Sequence, residues 1–490
     1  MSMLAPLLAR GRAVARHAPW PRAEVDNLAW AEALYSLRDG TLSLLGLWVD
    51  AGMVHMALLE EAAVGVLSCT IADGGYLSVA AHHAPAMRLE RAIADLHGIA
   101  PLGLPDTRKW LDHGTWGGAA PAPYPFLPVE GEGLHQVAVG PVHAGIIEPG
   151  HFRFTVQGEA VVRLEQRLGY THKGIERLIE GMELDRAAML AGRICGDSTV
   201  AYALAFARAA EAALGGSAPA RAVALSAVMA ELERIANHLG DFGGICNDAS
   251  FALIHAHCGV LREHVLRAAD AAFGHRLMRG LVVPGGVLGD LDAAGTEAIR
   301  GVLALVDARL KHLVRVYDDT ASLQDRTVGT GIVAPALARQ FAAGGYVGRA
   351  SGRAFDSRRT LAYPPYDRLR FEVPVLEEGD VNARVWVRVR EIGESAAMIR
   401  ALLDTLPAGP LRASLPEGVS GEGMAIVESF RGDVLAWLRL DPDGRVARGH
   451  FRDPSWFQWP LLEAAAEGNI IADFPLCNKS FNCAYAGHDL

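Results

Sequence analysis

Two hydrophobic periods mark out the elements of this chain. Through residues 224–240 apolar positions return at helical spacing, predicting a helix with one apolar face. Residues 199–214 predict a different kind of helix. Thr-Val-Ala-Tyr-Ala-Leu-Ala-Phe-Ala-Arg-Ala-Ala-Glu is built of small side chains, which let neighbouring backbones come close, so this helix belongs in a domain centre. A Cys195-Gly196 turn followed by Asp197 and Ser198, both good N-cap residues, predicts the loop that opens into it. Residues 40–80 alternate apolar and polar positions around Gly40, Gly46, Gly52 and Gly75, a hairpin-rich sheet pattern. Met87, Ala92, Ile93 and Leu96 mark one face of a helix that Gly98 stops. Phe152, Phe154 and Val156 share a strand face, Gln157-Gly158 turns the chain, and Val161 begins the return. Residues 1–20, rich in Ala, Arg and Leu, read as a short helix or a frayed arm. The Pro/Gly-rich stretch from 117 to 128 lies in a linker, 117–134, between segments 1–116 and 135–490.

Composition narrows the function classes. With 490 residues, 51% of them hydrophobic, the chain can bury a large core. A net charge of −10 and a pI near 6.0 argue against nucleic acid as a partner. Six scattered cysteines are too sparse for a disulfide scaffold and suit a reducing cytoplasm. Asp50, His55, Glu60 and Glu61 interrupt the most apolar stretch, 42–67, so no run approaches the roughly 18 residues a membrane helix needs. The basic start (Arg10, Arg12, Arg16) lacks the apolar core of a signal peptide, and no export is expected. Membrane association is then expected to come through a partner.

Ordered motifs carry a family likeness. Arg193-x-Cys195-Gly196 begins an R-x-C-G-x-C pattern, with Ser198 in the last slot. Gly169-x-x-His172-x-Gly174-x-Glu176 reads G-x-x-H-x-G-x-E, and Ala230 to Leu239 reads A-E-L-x-R-I-x-x-H-L. Arg326-Thr-x-Gly329, Gly348-Arg349, Asp356-x-Arg358 and Gly379-Asp380 to Arg384 follow, with Arg388 and Glu391. The tail 469–490 lines up with N-I-V-x-D-x-P-L-x-x-x-S-x-D-P-C-x-x-C, its two cysteine slots falling on Ala484 and Gly487. In these motifs the chain resembles NiFe hydrogenase large subunits and the quinone-site subunit of complex I. Glu90-Arg91-x-x-x-Asp95-Leu96-x-Gly98-Ile99 and Pro105-Asp106-x-Arg108 resemble the small hydrophilic subunit of complex I. That resemblance implies an α+β fold: a small α/β domain over 1–116, fused through the linker to a mainly helical domain over 135–490 with a peripheral β-sheet.

The resemblance also implies a site and shows it altered. Hydrogenases hold one bimetallic centre with four thiolates; here only Cys195 remains, and a serine hydroxyl substitutes poorly toward soft metals. The nickel–iron centre is therefore expected to be absent. Hydrogenase precursors carry a tail that is clipped after nickel loading, whereas this sequence stops three residues past the last ligand slot. Cys195 is a relic ligand or a small buried hydrophobe; with Cys477 and Cys483 it could also hold a different metal. Glu176 takes the place of a glutamate that binds magnesium in hydrogenases, or serves as carboxylate partner to an arginine or a helix N-terminus. His143 matches the first histidine of the H-P-x-x-H turn that lines the complex I quinone pocket, with Ile147 at the second and Gly196 at the headgroup tyrosine. Glu148 lies one residue from a proton-relaying glutamate, and its plainer reading is a surface turn.

His143, Asp197 and Glu148 are thus the candidate catalytic residues, and Cys195, Ser198 and Arg384 the candidate cofactor-binding ones. Losing three thiolates removes bulk where four segments meet. We expect a hydrated polar pocket there, rimmed by His143, Asp197, Ser198, Arg384 and His488, with Asp197 paired to an arginine or to backbone N–H groups. Two function classes remain open. One is an electron- or proton-handling subunit of a membrane-associated oxidoreductase of the NADH–quinone type, with NAD and a quinone-like molecule as the substrates implied. The other is a non-catalytic scaffold. Both imply a small iron–sulfur subunit and a membrane subunit as partners, at the cytoplasmic face of the membrane.

Overall fold

The computed structural model describes residues 2–116, 123–142 and 147–490. His143 and the linker residues 117–122 lie outside the described residues. The chain is α+β, a mainly helical core flanked by several small sheets. The predicted hairpin region forms three antiparallel strands, Ser43–Asp50, Met53–Glu60 and Ala63–Thr70, with Arg22–Val25 added in parallel and Arg12–Ala13 at the edge. Residues 1–20 hold the short helix Leu4–Arg10 and then the strand His17–Ala18. The helix Met87–His97 ends at Gly98 in a left-handed turn. Its buried face differs from the expected one: Arg88, Glu90 and Arg91 are buried and Leu96 is 39% exposed. Glu90 turns inward because it accepts bonds from Ser78 Oγ and from the Val79 and Ala80 N–H groups. Phe152, Phe154 and Val156 are buried on the strand His151–Gln157, which pairs with Ala160–Arg167 as predicted.

The small-residue helix Thr199–Leu214 lies on a second sheet, Glu422–Ser429, Gly432–Leu440 and Val446–Arg452. Its alanines permit very close packing. A Cβ on Gly423 would overlap the Ala209 carbonyl and come within 2.6 Å of the Ala213 nitrogen. The His17–Ala18 strand completes this sheet, pairing in parallel with Glu422 and Gly423. The N-terminal segment is thereby stitched to the far end of the chain. A third layer, Leu45, Trp48, Ala57 and Val66 against Met424, Ile426, Leu435 and Trp437, seals the two sheets together.

The predicted helix at 224–240 is the central part of Ala220–Asp248, which packs beside Ala252–Phe273 and Val381–Asp404. Its charged residues Glu231, Glu233, Arg234, His238 and Asp241 are buried. Glu231 accepts from Arg234 Nε (3.1 Å), Arg358 Nη1 (3.0 Å), Tyr366 Oη (2.7 Å) and Ser395 Oγ (2.6 Å). Glu391 binds Arg349 and His238. Buried charges on this scale hold only because each has a partner and further hydrogen bonds.

Candidate functional site

The site is assembled by a hairpin turn meeting the loop before the small-residue helix. Arg431 sits in the tight turn between Glu422–Ser429 and Gly432–Leu440. A Cβ on Gly345 would overlap the Arg431 carbonyl, so the backbones of Gly344-Gly345 and Arg431-Gly432 press together and fix that turn. The Arg431 guanidinium makes a forked pair with Asp197, Nη1 to Oδ1 at 2.7 Å and Nη2 to Oδ2 at 2.5 Å. Nη1 also lies 3.3 Å from Ser198 Oγ and 3.6 Å from Cys195 Sγ, while Nε donates to the Asn482 carbonyl at 2.5 Å. The Cys195 thiol donates to Asp197 Oδ1 at 3.0 Å. Arg431 is 4% exposed and Asp197 34%, so the cation is inside and the carboxylate reaches the surface.

Electrostatics follow from this placement. Burial alone would raise the Asp197 carboxyl, but Arg431 outweighs it and holds the group down at about 2. Burial and the neighbouring Asp197 charge push the Cys195 thiol well above its ordinary value, so it stays protonated. Behind them, burial and then Asp197 push Glu233 up to about 8. Neither Asp197 nor Ser198 caps the helix as expected. The first helical N–H groups, Val200 and Ala201, are bonded by Glu233 at 2.8 and 3.2 Å, and Asp197 is left for Arg431. Asn237 ties the two carboxyl-bearing segments, donating to the Asp197 and Glu233 carbonyls. Of these groups only Glu233 is brought near neutrality; Asp197 stays ionised, Cys195 stays protonated, and the cluster offers no thiolate.

The four slots of a hydrogenase metal centre do not fit such a centre here. Ser198 and Cys195 are engaged by Arg431 and Asp197. At the other two, Ala484 and Gly487 carry no ligand atom, and the space beside Gly487 is filled. A Cβ there would overlap the Asp453 carboxylate and meet Tyr202 Oη at 2.9 Å, and Tyr202 donates to Asp453 at 2.5 Å. Beside Gly487 the region is polar and side chains occupy it, and Asp197 takes the arginine pairing expected of it; His143, on the expected rim of the hydrated pocket, lies outside the described residues.

The remaining candidates are placed elsewhere. Glu176 accepts from His450 Nδ1 and the Phe451 N–H, both at 2.9 Å, and from Arg448 at 3.2 Å; against the effect of burial, this basic neighbourhood lowers it to about 2. That is the arginine-partner geometry, with the carboxylate already taken. Arg384 donates to the Gly331 and Gly379 carbonyls and to Ser480 Oγ, bracing three loops. Glu148, exposed, accepts from the Ala486 N–H at 2.9 Å. His488 is buried, stacked on Trp456 and bonded to Asp489. Among the described residues no group of three or more His, Cys, Asp or Glu is arranged to hold a metal ion, and none of the helices is long and apolar enough to cross a membrane.

Comparison with known proteins agrees with this architecture. Formate hydrogenlyase subunit 5 of Escherichia coli (strain K12) is 31% identical over 425 residues, 82% of this chain and 74% of that protein. The chain belongs to the hydrogenase large-subunit and complex I 49-kDa family. The model of the respiratory-chain NADH dehydrogenase 49-kDa subunit matches residues 253–420. The carbon monoxide-induced hydrogenase of Rhodospirillum rubrum is 31% identical over 350 residues, 71% of this chain and 97% of that protein. An NADH-quinone oxidoreductase component from Syntrophobacter fumaroxidans is 30% identical over 355 residues, 72% of this chain and 95% of that protein. A chain from the membrane-bound sulfane sulfur reductase, an archaeal respiratory membrane complex, superposes with a TM-score of 0.69 at 26% identity, covering 74% of this chain and all of that one.

Within this family member, sequence reasoning missed Arg431, Glu233, Tyr202 and Asp453. A signal for the first was present. Phe430-Arg431-Gly432-Asp433 puts two charges in a turn between the apolar runs 424–427 and 434–438, and such a turn normally faces water. Only the approach of Gly344-Gly345 buries it.

Proposed function

We propose that this chain is the large subunit of a membrane-associated oxidoreductase complex, working without a nickel–iron centre, and that Glu233, set behind the Arg431–Asp197 pair and tuned by the Asp197 charge, passes protons coupled to electron flow in neighbouring subunits. The observation that carries this reading is the forked Arg431–Asp197 pair standing among the former ligand slots, with a glutamic acid behind it that titrates near neutrality. The partners in this reading are a small iron–sulfur subunit and a membrane subunit at the cytoplasmic face, with residues 1–116 acting as a fused small hydrophilic module. The respiratory membrane complex named for the structural relative supports that assembly. The acceptor is a quinone-like or other small redox molecule, and magnesium at Glu176 has no part, since His450 and Arg448 hold that carboxylate.

A scaffold role is the second reading, favoured by the closed Tyr202–Asp453 packing at Gly487. Glu233→Gln in the purified complex separates the two. Loss of turnover by about 100-fold with assembly intact, the scale of a lost acid–base group, supports proton handling. Unchanged turnover leaves the scaffold. Near-stoichiometric nickel by elemental analysis overturns the first claim of both.

A further inference from the structure

The helices Ala252–Phe273 and Ala293–Asp319 bury one face each, with Ile254, Cys258 and Val265 on the first and Val302, Val306 and Leu310 on the second. Gly295, at the start of the second helix, packs on Ala272, at the end of the first, so the two run antiparallel. Each carries a further stripe beside this core face. Leu253, His257, Val260 and His264 return at 4-3-4 spacing on the first helix; Leu305, Arg309, His312 and Val316 do the same on the second. That is the seam spacing of packed helices.

Between the stripes lies a groove of about 380 Å³, floored by Leu261 and Leu313. Each stripe spans eleven residues, so the groove is about 16 Å long at 1.5 Å per residue, three helical turns. Its walls are apolar and open: Leu253 is 55% exposed and Val260 56%, and Leu305 and Val316 are half-buried. A single exposed aliphatic side chain is ordinary on a surface, but four sharing one groove form a continuous patch.

Charge sets this groove apart from the rest of the chain. The protein has a net charge of −10, yet no acidic residue occurs at 252–262 or 308–317. Arg309 lines the groove, and Lys311 and Arg315 lie on the solvent side of the same helix; all three are exposed. Among the described residues none of them has an ion-pair partner. The two carboxylates within the span of the stripes are already held, Glu263 by Arg267 (2.9 Å) and Arg276 (2.7 Å), and Asp307 by Arg400.

We propose that this groove receives one amphipathic helix of a partner protein in the complex, about three turns long, with an apolar stripe and an acidic flank. The stripe lies between the two helices, and the carboxylates stand against Arg309 and Arg315. A concave groove with matched spacing suits a helix better than a flat lipid surface, and the unanswered positive charge selects an acidic flank. This face is distinct from the one at Glu233, and the inference holds whether or not Glu233 carries protons.

Two synthetic helical peptides probe the full chain alone. Both carry leucine at i, i+4, i+7 and i+11; one has glutamate on the flanks and the other lysine in the same places. Fluorescence anisotropy is expected to show saturable binding of the glutamate peptide and about tenfold weaker binding of the lysine peptide, the scale of a few surface charge pairs. Arg309→Glu combined with Arg315→Glu should reverse that order, and Val260→Asp should weaken the glutamate peptide by about tenfold. These positions are exposed, and the melting temperature reports that the variants are intact. The six native cysteines are buried, so Val260→Cys places one reactive thiol in the groove. Maleimide should label it readily in the chain alone and about tenfold more slowly in the purified complex, where the partner helix is seated. Equal labelling in the two, equal binding of the two peptides, or absence of saturable peptide binding overturns the proposal. Two further results overturn the occupant. Binding to phosphatidylcholine vesicles containing phosphatidylserine, lost in Val260→Asp while neither peptide binds, assigns the face to lipid. A dimer of the chain alone that Val260→Asp dissolves assigns it to a second copy.

Discussion

Removing the Asp197 carboxylate should cost more than removing the arginine that faces it. The fall of the Asp197 carboxyl from 3.8 to about 2 corresponds to at most about 2.5 kcal/mol at 1.36 kcal/mol per pH unit. The carboxylate is one-third exposed, and solvent screening reduces that to about 1–1.5 kcal/mol. Asp197→Ala also strands a guanidinium that is 4% exposed, with the Asn482 carbonyl, the Ser198 hydroxyl and the Cys195 sulfur left to it and no anion. Breaking a buried pair from one side costs about 3–5 kcal/mol, and water entering where Asp197 stood brings the expected loss to about 2–4 kcal/mol. Arg431→Met leaves a carboxylate that can rehydrate, so its loss is about 1–2 kcal/mol. The double variant should then cost less than the sum of the singles by about 1 kcal/mol or more. Denaturant midpoints followed by tryptophan fluorescence measure all three. The sign with pH is fixed as well: a lowered carboxyl contributes stability above its unfolded value, near 3.8, and loses it as pH falls toward 2. Equal single costs with an additive double variant would refute the argument that a buried cation depends on Asp197.

Other outcomes are expected from the same geometry. Glu233 is raised from 4.5 to about 8, so its contribution is present below pH 4.5 and lost as pH rises toward 8; Glu233→Gln should flatten the decline in melting temperature between pH 5 and 8. Restoring a hydrogenase ligand by Gly487→Cys should destabilise the chain by about 1–3 kcal/mol, because the new side chain enters space held by Asp453 and Tyr202. Added together with Ser198→Cys it should still recruit no nickel, by elemental analysis. Glu176→Gln should lower the melting temperature equally with millimolar magnesium and with a chelator; a loss that appears only with magnesium present would show that the ion does bind there.

Local patterns in the sequence reported local structure well. The helix from Thr199 and the turn at Gly98 stand where small residues and a left-handed glycine place them, and the Phe152 strand shows the expected buried face. Burial of charge was not legible. Glu231, Arg234 and His238 look like the wet side of a helix until Arg358 and Glu391, far along the chain, arrive to pair with them. The candidate site divides in the same way. Cys195, Asp197 and Ser198 were visible as neighbours in the chain, but their organising cation, Arg431, comes from a hairpin turn in the C-terminal sheet. The vacated slots were legible as lost ligands, yet not as filled space, because Tyr202 and Asp453 meet only in three dimensions.

The strand His17–Ala18 and the apolar seam beside it bear on how the protein is made. On the ribosome, the hairpins from Ser43 to Thr70 emerge early, while the surface of Leu45, Trp48, Ala57 and Val66 has no cover until Met424, Ile426, Leu435 and Trp437 follow. At roughly 5–20 residues per second that wait lasts on the order of tens of seconds. A half-finished chain thus displays a sticky tryptophan-bearing face and an unpaired strand position, which is a natural landing place for a chaperone. Ribosome-associated factors should therefore be enriched on nascent chains stalled between residues 100 and 400 and released once residue 440 has cleared the exit tunnel.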